Sequence, residues 1–223
     1  GVFCAIDTAD MAEAEALVRK LACLPLHFKL GLEFFTAQGA AGVERLRAVA
    51  GGADIFLDLK FHDIPNTVAG AVRSALKVRP QFLTVHAAGG RAMMQAVVKA
   101  ADKKTKILAV TVLTNLDAQD LAEVGQQGDV AAQVLRLAKL AQESGVDGVV
   151  CSPHEITLLR QNLPRDFLLV VPGIRPADVA AGDQKRTLAP EEAFKLGADY
   201  LVIGRPITQA ADPAAAARKI ISG

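Results

Sequence analysis

An ammonium group flanked by carboxylates at the end of an apolar run is costly to bury and useful for moving a proton. Asp58, Lys60 and Asp63 stand in that arrangement, in the run Asp-Leu-Lys-Phe-His-Asp followed by Ile-Pro-Asn-Thr. The preceding Ile55, Phe56 and Leu57 read as strand. Side chains alternate between the faces of a strand, so Asp58 and Lys60 point the same way, roughly 7 Å apart along the backbone. Ile64 and Pro65 suit the opening of a helix, where proline is tolerated in the first turn, and this sets Asp63 at the strand-to-helix turn. A lysine held among carboxylates stays protonated. Lys60 is therefore fitted to donate a proton and poorly fitted to form a Schiff base, which needs a neutral amine. The competing use of Asp58 and Asp63 is as oxygen ligands of a divalent metal. The lysine between them competes for the same negative charge, and no His/Glu grouping nearby adds ligands, so metal binding is disfavoured.

The elements that must position these residues follow from a repeat of β-rich runs and alanine-rich amphipathic segments, the pattern of parallel βα units. The runs are Val2 to Asp7, His27 to Gly31, Asp54 to Lys60, Phe82 to His86, Lys106 to Leu113, Gly148 to Ser152, Phe167 to Gly173 and Tyr200 to Gly204. Helical segments follow them, among them Met11 to Ala22, Val68 to Val78, Ala92 to Ala101, Val130 to Ser144 and Ala214 to Ser222. The count predicts an α/β fold, a (β/α)8 TIM barrel formed as a single domain over residues 1–223, with a doubly wound open sheet as the alternative. Asp7, Lys29, Asp58, Lys60, His86, Thr114, Ser152 and Arg205 all fall at or just past the carboxyl ends of strands. That end is the working face of such a barrel. A lone His86 or Ser152 there is adequately explained by barrel-top hydrogen bonding.

Lys29, in Phe-Lys-Leu-Gly, adds a second ammonium from the neighbouring strand, so two ammoniums and two carboxylates converge together with Asp63. A purely structural ion-pair network is the plain alternative, but desolvating several charges is costly and apolar replacements are often neutral or stabilising. On the other side, Ile-Gly204-Arg205-Pro ends the last strand, and the loops after strands seven and eight of such barrels commonly bind phosphate. Pro172, Gly173 and Arg175, then Gly182, Asp183, Gln184, Lys185 and Arg186, lie in the preceding loop, 174–188, which reads as a lid.

Composition narrows the partners. The chain has 223 residues, 51% of them hydrophobic, and 25 basic residues against 24 acidic ones for a formal charge of +1. It can bury a large core, and it has no electrostatic footprint for nucleic acid. No run approaches the roughly 18 apolar residues of a membrane span, and the start lacks a secretion signal, so a soluble cytoplasmic protein acting on a small molecule is expected. The start at Gly1, just ahead of the first strand, reads as a trimmed terminus. Cys4, Cys23 and Cys151 are odd in number and lack metal-ligand spacing, and buried thiols are expected.

Taken together, the chain resembles the bacterial orotidine 5′-monophosphate decarboxylases over essentially its whole length. The resemblance rests on Ala5-Ile-Asp7, Phe28-Lys-Leu-Gly31, Asp58 through Thr67, Val110-Thr-Val-Leu-Thr114, Pro172-Gly-Ile-Arg175, Gly182-Asp-Gln184 and Ile203-Gly-Arg205, in order. A bare Asp-x-Lys-x-x-Asp also occurs in related sugar-phosphate decarboxylases and aldolases; the extension through Phe61, His62 and Ile64 to Thr67 is what looks particular to the orotidylate enzymes. The resemblance implies a cofactor-independent homodimer in which Lys60 protonates C6 of the pyrimidine and Lys29, Asp58 and Asp63 complete a charge array. Asp63, Ile64 and Thr67 would reach into the partner subunit's site. Asp7 and Lys29 would contact the ribose, Thr114 the pyrimidine, and Gln184, Gly204 and Arg205 the phosphate, with Pro172 and Arg175 at the closing loop. A metal-dependent sugar-phosphate decarboxylase or aldolase, or a noncatalytic nucleotide-binding barrel, are the other readings of the same barrel.

Overall fold

Each apolar run finds a parallel partner on both sides, and the sheet they form closes on itself. In the computed structural model, which describes residues 1–126, 128–175 and 188–222, the strands are β1 (Val2–Ile6), β2 (His27–Gly31), β3 (Ile55–Phe61), β4 (Phe82–His86), β5 (Lys106–Val110), β6 (Gly148–Val150), β7 (Leu168–Val171) and β8 (Tyr200–Ile203). The register from Val2 with Leu201 to Cys4 with Ile203 joins β8 back to β1. The expected (β/α)8 barrel is the architecture, but several strands stop short of their expected carboxyl ends. In β5 the expected run to Leu113 ends at Val110, after which the Thr111 N–H makes a last bond to the Val150 carbonyl at 3.2 Å. Asp7, Thr114, Ser152 and Arg205 therefore lie past the ladder, at the rim, whereas Lys29, Asp58, Lys60 and His86 lie within strands.

Between the strands run α1 (Met11–Leu21), α2 (Leu32–Val49, kinked at Gly39), α3 (Pro65–Ala75), α4 (Gly90–Ala100), α5 (Ala118–Glu123), α6 (Val130–Glu143), α7 (Ile156–Asn162), α8 (Pro190–Leu196), α9 (Arg205–Thr208) and α10 (Pro213–Ser222). Asp10, Asp117 and Asp129 cap α1, α5 and α6 by accepting backbone N–H bonds, which satisfies donors that a helix start leaves unpaired. Buried faces of these helices meet the outward side chains of the strands in one continuous core.

The inward side chains follow the two-residue strand period. Phe3, Phe56 and Phe82 form the floor, with Phe3 meeting Phe56 at 5.2 Å and Phe82 at 5.1 Å in edge-on contacts. Ala5, Leu108, Val170 and Val202 complete this inner cluster. The same period continues upward to Asp7 after Ala5, to Asp58 after Phe56 and to Thr84 after Phe82. Along β1, β3 and β4 the inward face thus passes from aromatic rings below to polar groups at the upper rim.

The opposite rim carries acids of another kind. Asp147 accepts from the Ile107 N–H at 2.8 Å and pairs with Lys106 at 2.9 Å. Asp199 accepts from the Leu169 N–H at 2.7 Å and pairs with Arg160. These carboxylates tie strand starts together, where conservation of fold rather than chemistry is at stake. Close packing at this end is visible at Gly148, where an added Cβ would lie 2.4 Å from the Leu168 carbonyl oxygen and 2.6 Å from its Cβ. Because a backbone atom is in the way, Gly148→Ala is expected to destabilise the protein by about 1–3 kcal/mol. A urea midpoint unchanged from the native protein would contradict this.

Candidate active site

The carboxyl ends of the strands surround a cavity of about 480 Å³. Its floor is Ala5, Phe56, Val110, Val150 and Val202, and its rim includes Asp7, Lys29, Asp58, Lys60, Thr114, Pro172, Arg175, Gly204 and Arg205. Seven of the eight strands, all but β4, thus contribute residues or following loops to one space.

Asp58 is the centre of the charged side. Its Oδ2 lies 2.8 Å from the Lys60 ammonium and 3.5 Å from the Lys29 ammonium. Lys29 in turn stands 3.4 Å from Asp7 Oδ1. Gly31 leaves room for this crossing, since a Cβ there would sit 3.1 Å from the Lys29 Nζ. Asp58 and Lys29 are each only 8% exposed, so their charges compensate each other with little help from water. Burial by itself would raise the Asp58 pKa. The Lys29 and Lys60 charges, with hydrogen bonds from Lys60 and Thr84, outweigh it and hold the carboxyl below its ordinary 3.8.

Lys60 reaches this position by a route that simple alternation does not predict. Its backbone lies at φ +49°, a left-handed conformation uncommon for a residue with a side chain. The β3–β4 register jumps here: Leu57 pairs with Leu83 and Phe61 with Val85. Between these pairs the Thr84 hydroxyl accepts from the Lys60 N–H at 2.9 Å and donates to Asp58 Oδ1 at 3.0 Å. Thr84 escapes a sequence reading because threonine in a strand needs no chemical explanation.

On the other side, Gly204 precedes α9, and a Cβ there would make only ordinary contacts with Ala5 and Asp7. Its backbone is thus open to the cavity. Burial, and then the neighbouring Arg205 cation, lower the Arg175 pKa from its ordinary value. Two guanidinium groups sharing one wall favour an anion between them. Ile174 bridges Leu188 and the Arg175 N–H bonds the Leu188 carbonyl at 3.0 Å, so both ends of the long loop are joined at the cavity. Gln184, with Gly182, Asp183, Lys185 and Arg186, lies outside the described residues.

Asp63, Ile64 and Thr67 do not join the others within one chain. All three are exposed; Asp63 accepts from the Ile64 N–H at 2.6 Å and so turns the chain into α3, whose first residue is Pro65. Within one chain the tight turn after β3 leaves the Asp63 carboxylate at the surface. His86 packs its ring 5.5 Å from that of His62, and Ser152 is buried, its N–H bonding Glu155 at 2.7 Å. Cys4 and Cys151 are buried free thiols as expected, whereas Cys23 is exposed, in the turn that follows α1. Among the described residues no group of three or more His, Cys, Asp or Glu side chains could hold a metal ion, and no helix is long and apolar enough to cross a membrane.

The family model described as orotidine 5′-phosphate decarboxylase / HUMPS matches residues 1–220. The chain belongs to this family. It is 52% identical to the orotidine 5′-phosphate decarboxylase of Rhodospirillum rubrum, covering 98% of this chain and 92% of that protein. It is 53% identical to that of Paramagnetospirillum magneticum, covering 98% and 96% respectively. Among solved structures, the orotidine 5′-phosphate decarboxylase of Lactobacillus acidophilus superposes with a TM-score of 0.87 at 37% identity, over 99% of this chain and 97% of that one.

The lowered Asp58 pKa has a consequence for this family member's stability. A carboxyl whose pKa is depressed on folding contributes stability that is present above its unfolded value and lost as pH falls through the folded one. The unfolding free energy of the native protein should therefore fall more steeply below about pH 4 than that of Asp58→Asn. Parallel curves in urea denaturation across that window would show that Asp58 has no such role.

Proposed function

We propose that this protein is an orotidine 5′-monophosphate decarboxylase, which releases carbon dioxide from C6 of the pyrimidine and yields uridine 5′-monophosphate in pyrimidine nucleotide synthesis. The observation that carries the reading is the 2.8 Å contact of Lys60 with Asp58 in a cavity walled by Arg175 and Arg205, in a chain about half identical to curated decarboxylases.

The chemistry follows from the charges. When the bond from C6 to the carboxylate breaks, its electron pair stays on C6 in an sp² orbital that the ring π-system cannot readily delocalise. The Lys60 ammonium interacts more strongly with this localised charge than with the dispersed charge of the starting carboxylate, which is differential stabilisation of the transition state. Lys60 then transfers its proton to C6 and is reprotonated from solvent. Asp58 stands beside the departing carboxylate and is relieved of a like charge as neutral carbon dioxide leaves. Lys29 holds Asp58 and, with Asp7, meets the ribose hydroxyls, while Thr114 meets the pyrimidine. Arg205, the Gly204 backbone, Gln184 and the Pro172 to Arg175 segment take the phosphate, whose binding supports loop closure and exclusion of water. No metal or cofactor enters any step.

The same reading makes the enzyme a cytoplasmic homodimer in which Asp63, Ile64 and Thr67 complete the partner's site. Supporting it, Leu32, Ile64 and Leu113 are exposed large apolar side chains, with Ile64 at 67%, and all follow carboxyl ends of strands. Exposed apolar side chains at this end of the barrel suit a second copy of the chain.

Lys60→Ala is expected to keep the fold, by circular dichroism, and to lower decarboxylation by at least about 10⁴-fold, followed as loss of the orotate chromophore. Near-native turnover would reject Lys60 as the acid. Native activity should be indifferent to EDTA; complete loss that added metal restores would favour the metal-dependent alternative. Ile64→Asp should shift sedimentation from a two-chain to a one-chain species and reduce activity with it, and an unaltered dimer with full activity would exclude this face as the interface.

A further inference from the structure

We propose that Thr84 is a positioning residue for the decarboxylation, its hydroxyl fixing both the Lys60 backbone and the Asp58 carboxylate so that the ammonium meets the reacting carbon. The inference rests on the function proposed above and adds to it a residue that touches no substrate.

The register change makes the geometry specific. Between the pairs Leu57 with Leu83 and Phe61 with Val85, Asp58, Leu59 and Lys60 of β3 stand opposite Thr84 of β4. The ladder cannot pair these residues in the ordinary way, and the hydroxyl takes its place. It has a single proton, and the neighbours dictate its use. The Lys60 N–H can only donate and the Asp58 carboxylate can only accept, so the hydroxyl accepts at 2.9 Å and donates at 3.0 Å. Thr84 is wholly buried, so no water replaces a lost partner.

Two consequences converge on Lys60. Accepting the Lys60 N–H supports a residue held at φ +49°, a conformation that costs of order 1–3 kcal/mol and persists only where its surroundings dictate it. Donating to Oδ1 fixes the rotation of the Asp58 carboxyl and directs Oδ2 to the two ammoniums, at 2.8 Å from Lys60 and 3.5 Å from Lys29. The Lys60 side chain is thus held at its root by the backbone bond and at its tip by the aimed carboxylate. β-Branching restricts the hydroxyl to few rotamers, a rigidity that serine lacks and valine has without the hydroxyl.

The test is steady-state kinetics of Thr84→Val, Thr84→Cys and Thr84→Ser on orotidine 5′-monophosphate, beside the native protein. Thr84→Val keeps the shape and removes the hydroxyl. It should lower kcat by about 10–100-fold, since misplacement of a reacting group on this scale costs as much, with KM within about threefold because the phosphate and ribose contacts are intact. Thr84→Ser should stay within about fivefold of the native kcat, the hydroxyl being restored. Should Thr84→Val not fold, Thr84→Cys, which puts a weakly hydrogen-bonding thiol in place of the hydroxyl, carries the same expectation of lost kcat at preserved KM. A native kcat in the folded valine or cysteine variant overturns the inference, as does a rise in KM at constant kcat or an equal loss in Thr84→Ser. Native protein inactive on this nucleotide overturns the proposed function and the inference with it. An active native protein with an indifferent Thr84→Val overturns the inference alone.

Discussion

Everything at the carboxyl end of this barrel depends on one carboxylate facing two ammoniums. Asp58 is buried, and without Lys29 at 3.5 Å and Lys60 at 2.8 Å its negative charge would be too costly to retain so close to the aromatic floor. Equally, the ammoniums would repel each other without it. The neighbouring features serve this balance: Gly31 leaves space for the Lys29 head, Asp7 draws Lys29 toward the rim, and Thr84 occupies the second oxygen of Asp58. An apolar cluster of the same volume would hold β2, β3 and β4 together at least as well. In the proposed reaction the charges act on the ligand, and the compact inner core of Phe3, Phe56 and Phe82 supplies the rigidity that lets them stand close together.

How much of this could be read from the chain differs residue by residue. The barrel was legible because its strands are short, apolar and evenly interrupted, and a two-residue period carries Phe56 to Asp58 and Ala5 to Asp7 without any knowledge of neighbours. Alternation also predicts that Asp58 and Lys60 share a face, and they do meet, but through a left-handed backbone at Lys60. No residue type announces that conformation, because lysine, unlike glycine, has no preference for it. Thr84 was invisible for the opposite reason: threonine suits any strand. Residue type misleads most over the acids. Asp54, Asp147 and Asp199 precede strands and Asp7, Asp58 and Asp63 follow or end them; composition cannot separate them. Position on the barrel does, since Asp147 and Asp199 accept strand N–H groups while Asp58 accepts from side chains. Asp63, Ile64 and Thr67 are exposed in the single chain, and in the proposed homodimer that exposure lets them reach a second copy.

The charge balance of the cavity bears on how binding and chemistry are divided. Lys29 and Lys60 are matched by Asp7 and Asp58, so this side of the cavity is close to neutral overall and attracts an anion only weakly from a distance. The opposite wall brings together two cations, Arg175 and Arg205, close enough that the second lowers the pKa of the first. A phosphomonoester carries between about one and a half and two negative charges at neutral pH, which matches that wall. In the proposed reaction, then, affinity comes chiefly from the phosphate, and it is used to bring a carboxylate next to Asp58, where a carboxylate by itself has no reason to go. Such a division makes the remote phosphate a determinant of turnover as well as of affinity, because the energy that holds it is what sets the reacting group against a like charge and beside the Lys60 ammonium. It also explains why the cation that stabilises the carbanion can be fully paired before substrate arrives. A free ammonium would bind the substrate carboxylate tightly in the ground state and gain little on the way to the transition state, whereas one already satisfied by Asp58 has most to gain when a new negative charge appears at C6.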